Sequence, residues 1–252
     1  GEVTVSAAQF TFTSANWDSA QTVTLTGVND NLIDVDTQTT ITISVDADSD
    51  SNFTSLDAQT VTVTTTDNDT AGFTITESGG GTSVSEAGTT DTFTVVLDAQ
   101  PNSDVVLSVV SADTGEVTVS PSSLTFTNAN WDTAQTVTVT GVDDNIIDGS
   151  QTVTITISVV DGSSDNNFDG LADQTVSVTI TDNETAGFTI TESGGSTSVT
   201  EAGSTDTFTV VLGGAPGSAV VLSVTSAHTG EVTVSPASLT FTSANWDTAQ
   251  TV

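Results

Sequence analysis

The sequence predicts an all-β chain of tandem antiparallel β-sandwich domains, and three observations predict it. Apolar residues alternate with Thr or Ser over short runs, no segment carries an apolar stripe of helical period, and the whole pattern recurs along the chain. Period-two alternation buries one face of a strand and wets the other. Thr suits the wet face because its β-branch restricts χ1 and packs well on a pleated surface.

The recurrence sets the domain plan. Gly-Glu-Val-Thr-Val-Ser begins at Gly1, Gly115 and Gly230, and Asn-Trp-Asp begins at Asn16, Asn130 and Asn245, so successive copies lie 114 and 115 residues apart. The last 23 residues match the first 23 in phase, so the expectation is a window on a longer tandem array. Each copy passes into the next through an acidic junction, Thr66-Asp67-Asn68-Asp69-Thr70-Ala71-Gly72-Phe73 and Thr181-Asp182-Asn183-Glu184-Thr185-Ala186-Gly187-Phe188. With the junction as boundary, residues 1–69 are the back part of one domain, 70–184 a complete domain and 185–252 the front part of a third. A domain of about 115 residues can bury one core without disulfides. The one-residue change of offset falls between Ile155 and Phe168, in a polar stretch at residues 161–167 where a surface loop tolerates it.

Within the complete domain the strands are expected in order at Phe73-Thr-Ile75, Phe93-Thr-Val95, Val117-Thr-Val119, Leu124-Thr-Phe126, Val137-Thr-Val139, Val153-Thr-Ile155-Thr-Ile157 and Val176-Ser-Val178-Thr-Ile180. About seven short strands with Gly, Asp, Asn and Ser turns between them fit two packed antiparallel sheets. Phe73 and Phe188, which open the first strand of their domains, are expected in the core. Trp131, with its counterparts Trp17 and Trp246, is expected as a buried plug at the end of the sandwich; the alternative is a flat platform for a sugar.

Charge narrows the chemistry. The chain has 33 acidic residues, one His and neither Lys nor Arg, a formal charge of −33. No basic side chain stands ready to pair the carboxylates, so they must be solvated, screened by salt or bound to metal, and their mutual repulsion opposes the compact state. Nucleic acid and anionic membrane surfaces are excluded as partners. The hydrophobic fraction is only 35%, yet mean hydropathy is +0.07 because Thr and Ser fill the polar positions, which fits a folded protein rather than a disordered one. Without Cys there are no disulfides, and without Lys no Lys-to-Asn isopeptide bond, which leaves metal as the available staple. There is no charged-then-apolar leader and no apolar run near the roughly 18 residues of a membrane span, so neither a targeting nor a membrane segment is expected in this stretch.

The acidic residues of the complete domain fall in separate inter-strand segments. Glu86 lies in Val-Ser-Glu-Ala-Gly, Asp113 in Ser-Ala-Asp-Thr-Gly, Asp143, Asp144 and Asp148 in Gly-Val-Asp-Asp-Asn-Ile-Ile-Asp-Gly, and Asp182 and Glu184 at the junction. Loops at one pole of a sandwich can bring such groups together, and hard oxygen ligands from several loops are what six- to eight-coordinate Ca²⁺ requires. Zn²⁺, Cu²⁺ and Fe favour the imidazole and thiolate that the chain almost or wholly lacks. Turn formation accounts for many of the other Asp and Asn residues.

The order Val-Ser-Glu-Ala-Gly, Gly-Val-Asp-Asp-Asn-Ile-Ile-Asp-Gly, Ile-Thr-Asp-Asn-Glu-Thr-Ala-Gly resembles the Calx-beta domain and the tandem repeats of large bacterial surface adhesins, and the likeness runs through the entire chain in phase. The resemblance implies a seven-stranded, Ig-like sandwich with Ca²⁺ at one end, beside the linker to the next domain. Carried over by position, it makes Glu86, Asp113, Asp143, Asp144, Asp148, Asp182 and Glu184 the ligands of the complete domain. Asp30, Asp34, Asp67 and Asp69 match in the leading segment, where the aspartate pair is reduced to Asn29-Asp30 and a weaker site is expected. Glu201 matches in the trailing segment, where His228 stands in place of Asp113.

Two functions are expected from this reading. The first is a structural extender: a calcium-stiffened segment of a long extracellular adhesin or fibre at the cell surface, whose partners are its neighbouring repeats and, in a fibre, like chains. The alternative is a calcium-dependent module that binds glycans or protein partners. An enzyme is not expected, because acid–base and covalent catalysis draw on His, Lys, Cys or Tyr, and His228 alone is present.

Overall fold

The alternating runs become strands in the computed structural model, which describes residues 1–252. The leading segment carries β1 (Val3–Val5), β2 (Leu25–Gly27), β3 (Thr37–Ile43) and β4 (Gln59–Thr65). The central domain carries β5 (Phe73–Glu77), β6 (Thr82–Ser85), β7 (Thr90–Leu97), β8 (Val105–Ser111), β9 (Val117–Ser120), β10 (Ser123–Phe126), β11 (Gln135–Gly141), β12 (Ile146–Ile147), β13 (Gln151–Val159) and β14 (Gln174–Thr181). The trailing segment carries β15 (Phe188–Glu192), β16 (Phe208–Leu212), β17 (Ala215–Pro216), β18 (Val220–Ser223), β19 (Ser238–Phe241) and β20 (Gln250–Thr251).

In the central domain β10-β8-β13-β14-β6 form one sheet and β5-β7-β11-β9 the other, with every pair antiparallel except β14 and β6. These are seven passes of the chain, because the first and the fourth each switch sheets partway. Residues 78–81 break the first pass, with Gly79 and Gly80 at φ of 66° and 85°, a region glycine reaches without strain. Pro121 and Ser122 break the fourth pass between β9 and β10, and Pro121 has no N–H to continue a ladder.

Register follows from the two-residue period. Val153 faces Val178 and Ile155 faces Val176 on the inner side of β13 and β14, while Thr152–Thr179, Thr154–Ser177 and Thr156–Thr175 pair outside. Phe93, Val95, Leu107, Phe126, Val137, Ile155, Val178 and Phe168 fill the space between the sheets at 0% exposure. Trp131 is half-buried against this core, as an end-plug would be, but its counterpart Trp17 is 71% exposed in the half-sandwich of the leading segment. Ile33, from the leading segment, belongs to the same cluster of 22 buried residues.

The leading and trailing segments repeat these registers with half of each sandwich. Phe53 is 56% exposed where its counterpart Phe168 is at 0%, and Phe188 is 55% exposed where Phe73 is at 3%. Phe168→Ala should therefore destabilise the central domain by about 3–5 kcal/mol, through lost burial and a residual cavity. Phe53→Ala should change stability by no more than about 0.5 kcal/mol. Denaturant unfolding of the two variants checks both values.

Candidate metal centre

One close approach of backbone sets the geometry of the acidic pole. A Cβ on Gly141, the last residue of β11, would overlap the Ser85 carbonyl, so glycine lets the chain pass directly beneath the turn that follows β6. Gly141 N–H donates to the Thr89 carbonyl at 3.1 Å, and Glu86 N–H donates to the Thr181 carbonyl at 3.1 Å. The Glu86 turn is thus held between the end of β11, which leads into residues 142–148, and the end of β14, which leads into the junction. Gly88 closes the turn at φ 78°, with its N–H on the Ser85 carbonyl.

Glu86, Asp144 and Glu184 meet there, with one carboxylate oxygen of each within 4.8 Å of the others. Glu86 is 1% exposed, and Asp144 and Glu184 are half-buried. Glu86 Oε2 and Glu184 Oε2 are buried without a hydrogen-bond partner. Burial, foremost, and the adjacent Glu184 carboxyl push the Glu86 carboxyl up to about 7, with Asp182 and Asp144 adding to the rise and the Asn183 backbone opposing it. Burial likewise raises Glu184, and Asp182 reinforces that rise. A buried carboxylate with unpartnered oxygens is costly unless a cation or proton meets it. The donors are all hard oxygens drawn from three segments of chain, a set that fits Ca²⁺.

Asp182 braces the centre from behind. Its Oδ2 accepts Gly149 N–H at 2.7 Å and Asp148 N–H at 3.2 Å, and its Oδ1 accepts Glu184 N–H at 2.8 Å. Those backbone donors, Gly149 first, hold its carboxyl below the usual aspartate range. Asp143 Oδ1 accepts the Asn183 side-chain amide at 3.0 Å, tying the two acidic segments together, and Asp144 Oδ1 accepts Ile146 N–H at 2.6 Å.

The remaining sequence-predicted residues lie elsewhere. Asp113 is exposed, with its Oδ1 on Gly115 N–H at 2.9 Å. It lines an open polar depression with Asp148 and Glu116 rather than the Glu86 cluster. Glu116 is the residue that sequence reasoning missed, although it recurs in the Gly-Glu-Val-Thr-Val-Ser motif as Glu2 and Glu231. Its Oε2 is buried without a partner, and burial followed by Asp148, Asp144 and Asp113 raises its carboxyl.

The leading segment repeats the wiring. Asp30 Oδ1 accepts Leu32 N–H at 3.0 Å, Asp67 Oδ2 accepts Asp34 N–H at 3.0 Å, and Asp67 Oδ1 accepts Asp69 N–H at 2.9 Å. Desolvation and then the carboxylates of Asp67, Asp30, Asp69 and Asp36 raise Asp34. Glu201 and His228 are exposed in the trailing segment, apart from any such cluster.

No protein-family model matches the chain, and no curated protein matches it. Among solved structures, the apo form of the Calx CBD1 domain is 14% identical over 44% of this chain and 98% of its own, with a TM-score of 0.33. Domains 4 and 5 of the S-layer protein SbsC are 26% identical over 49% of this chain and 59% of theirs, at 0.30. SSP-19, an MSP-domain-like protein of Caenorhabditis elegans, is 15% identical over 42% of this chain and 97% of its own, at 0.29. The assignment of a two-sheet sandwich rests on the strand pairing itself.

The raised Glu86 carboxyl gives a pH dependence with a definite sign. Below its ordinary value of 4.5 the group is neutral both folded and unfolded; between 4.5 and about 7 the unfolded chain releases the proton and the folded chain keeps it. Stability of the metal-free domain should therefore fall as pH rises through that window and level off above it. Glu184 and Glu116, also raised, act in the same direction. Thermal unfolding in EDTA should show the decline, and Glu86→Gln should flatten it. A decline of equal size in the Gln variant would assign it to other carboxylates.

Proposed function

We propose that the chain is a calcium-stiffened structural extender, a segment of a long repetitive extracellular adhesin or fibre that holds other parts away from a surface. One observation carries this reading: the three converging carboxylates of Glu86, Asp144 and Glu184 sit at the pole where the chain leaves the central domain, with two buried oxygens unpartnered. Glu184 is itself a junction residue, three positions before Gly187, so an ion held there would fasten the start of the linker to the domain behind it. Glu86, Asp144 and Glu184 are the direct ligands in this account. Asp182 acts through the backbone of residues 148, 149 and 184, which it fixes in place.

Ca²⁺ would supply the positive charge that the chain lacks and satisfy the orphaned oxygens, replacing mutual repulsion at the pole with shared coordination. A non-catalytic role fits the acidic centre, since His228 is exposed and far along the chain from the cluster, in the trailing segment. The glycan-binding alternative rests on calcium-bridged hydroxyls or the Trp loops; Trp131 is half-buried against the core, which favours the plug there, whereas Trp17 is 71% exposed.

Calcium should raise the melting temperature of the chain and EDTA should lower it, with Mg²⁺ a poor substitute because it demands a tight octahedron. For dissociation constants of roughly 0.1–1 mM, about 10 mM Ca²⁺ would add on the order of 1.4–2.7 kcal/mol per site by mass action. Glu86→Gln and Glu184→Gln should each remove most of the gain at the central pole, whereas Asp113→Asn should leave it intact. Equal melting with and without calcium in the parent chain would overturn the assignment.

A further inference from the structure

The loop that carries Asp144 also carries an apolar pair that its own domain does not use. Ile146 is 41% exposed, and Ile146–Ile147 form β12, which pairs in parallel with β17, Ala215–Pro216 of the following repeat. Ala215 N–H donates to the Asn145 carbonyl at 2.7 Å. Gly214, Ala215 and Pro216 are buried, and a Cβ on Gly214 would stand 2.9 Å from both Cγ1 and Cδ1 of Ile147, so this glycine leaves the room that the isoleucine fills.

The preceding junction repeats the arrangement with its own residues. Leu32 bridges Gln100 in parallel, Gln100 N–H donates to the Asn31 carbonyl at 2.7 Å, and Ile33 N–H donates to the Gln100 carbonyl at 3.2 Å. The Asn102 side-chain amide donates to the Ile33 carbonyl at 2.5 Å, while Asn102 N–H is held by buried Asp165 at 2.6 Å. Ile33 is 9% exposed and packs into the core of the domain ahead of it. Two junctions with different linker and seat sequences thus use one geometry.

We propose that this apolar loop tip is an inter-repeat latch: Asn31-Leu32-Ile33 and Asn145-Ile146-Ile147 each seat on the next repeat at residues 99–102 and 214–217, and this seating, rather than metal alone, sets the angle between consecutive domains. The occupant of each seat is the tip of the preceding repeat, recognised by backbone hydrogen bonds on one strand edge and by one isoleucine side chain. The latch is pre-shaped from behind, because Asp30 and Asp144 each accept the N–H of the first apolar residue, Leu32 and Ile146. It stands apart from the calcium reading, since none of the seat contacts needs an ion.

The chain has no Cys, so spin labels can be placed cleanly on the 252-residue protein at the exposed positions Ser123→Cys and Ser238→Cys, one on each side of the second junction. Pulsed dipolar spectroscopy in EDTA should give a narrow distance distribution for the parent chain. Ile147→Asp on the tip and Gly214→Leu on the seat should each widen it several-fold, with strand content by circular dichroism unchanged. Using both sides of the contact guards against one variant simply failing to fold. A distribution as narrow in both folded variants as in the parent would overturn the latch. A narrow parent distribution that both variants lose upholds it, even if calorimetry finds no calcium binding, a result that would overturn only the proposed metal function.

Discussion

Uncompensated negative charge is the constraint on which the rest of this structure depends. With no Lys or Arg, each of the 33 carboxylates must find a backbone N–H, a hydroxyl, water or a cation. The chain spends its aspartates on the first two. Asp30, Asp46, Asp50, Asp67, Asp113, Asp144, Asp165 and Asp182 each accept an N–H two residues ahead, the Asx turn that a short carboxylate makes with its own backbone. Asp91 and Asp206 instead take N–H and hydroxyl groups at the break of the first pass, which lowers both carboxyls. Glu77 and Glu192 likewise take the hydroxyls of Thr82 and Thr197, but three other glutamates do not. Glu86, Glu116 and Glu184 supply three of the four buried oxygens left without a partner, Asp169 the fourth.

Alternation exposed most strands, and repetition exposed the junctions, because both are properties of residue order; β8 was missed, since adjacent apolar residues in Val-Val-Leu-Ser-Val-Val break the two-residue period. The split of the first pass between sheets was harder to read, since only the triple glycine at residues 79–81 hints at it. Within the site, position in the acidic loops identified Glu86, Asp144 and Glu184. It could not separate them from Asp143, Asp148 and Asp182, whose oxygens brace the loops or lie outside the cluster. Geometry decides the matter: Asp144 makes the same turn as Asp182, yet only Asp144 sets an oxygen within 4.8 Å of those of Glu86 and Glu184. Glu116 escaped notice because it sits in a strand-leading motif that reads as scaffold, and only folding sets it beside Asp148.

The latch was illegible for a different reason. Ile146 and Ile147 interrupt an acidic loop and fall out of step with the core of their own domain, so a reading confined to one domain finds no use for them. Their use lies in the next copy. The recurrence of an apolar pair between acidic residues, Asp30-Asn31-Leu32-Ile33-Asp34 and Asp144-Asn145-Ile146-Ile147-Asp148, is the signal that could have revealed it, because turn chemistry alone would not demand isoleucine twice at one phase.

Placing the latch and the acidic centre in one loop gives the array a direction. Asp144 faces backward into its own domain, with Glu86 and Glu184, while the residues just after it reach forward into the next. Ile33 belongs to the core of the domain ahead, so the central domain's core is completed by its predecessor. Repeats coupled in this way approximate a one-dimensional chain in which stability is the sum of intrinsic terms and nearest-neighbour terms. The cation proposed at that pole would act on both kinds of term, since ordering Asp144 within its domain would also order the backbone that presents the latch. On the proposed extender role, the mechanical unit would be neither a domain nor a linker but a junction, made of one carboxylate cluster, one isoleucine and one buried seat.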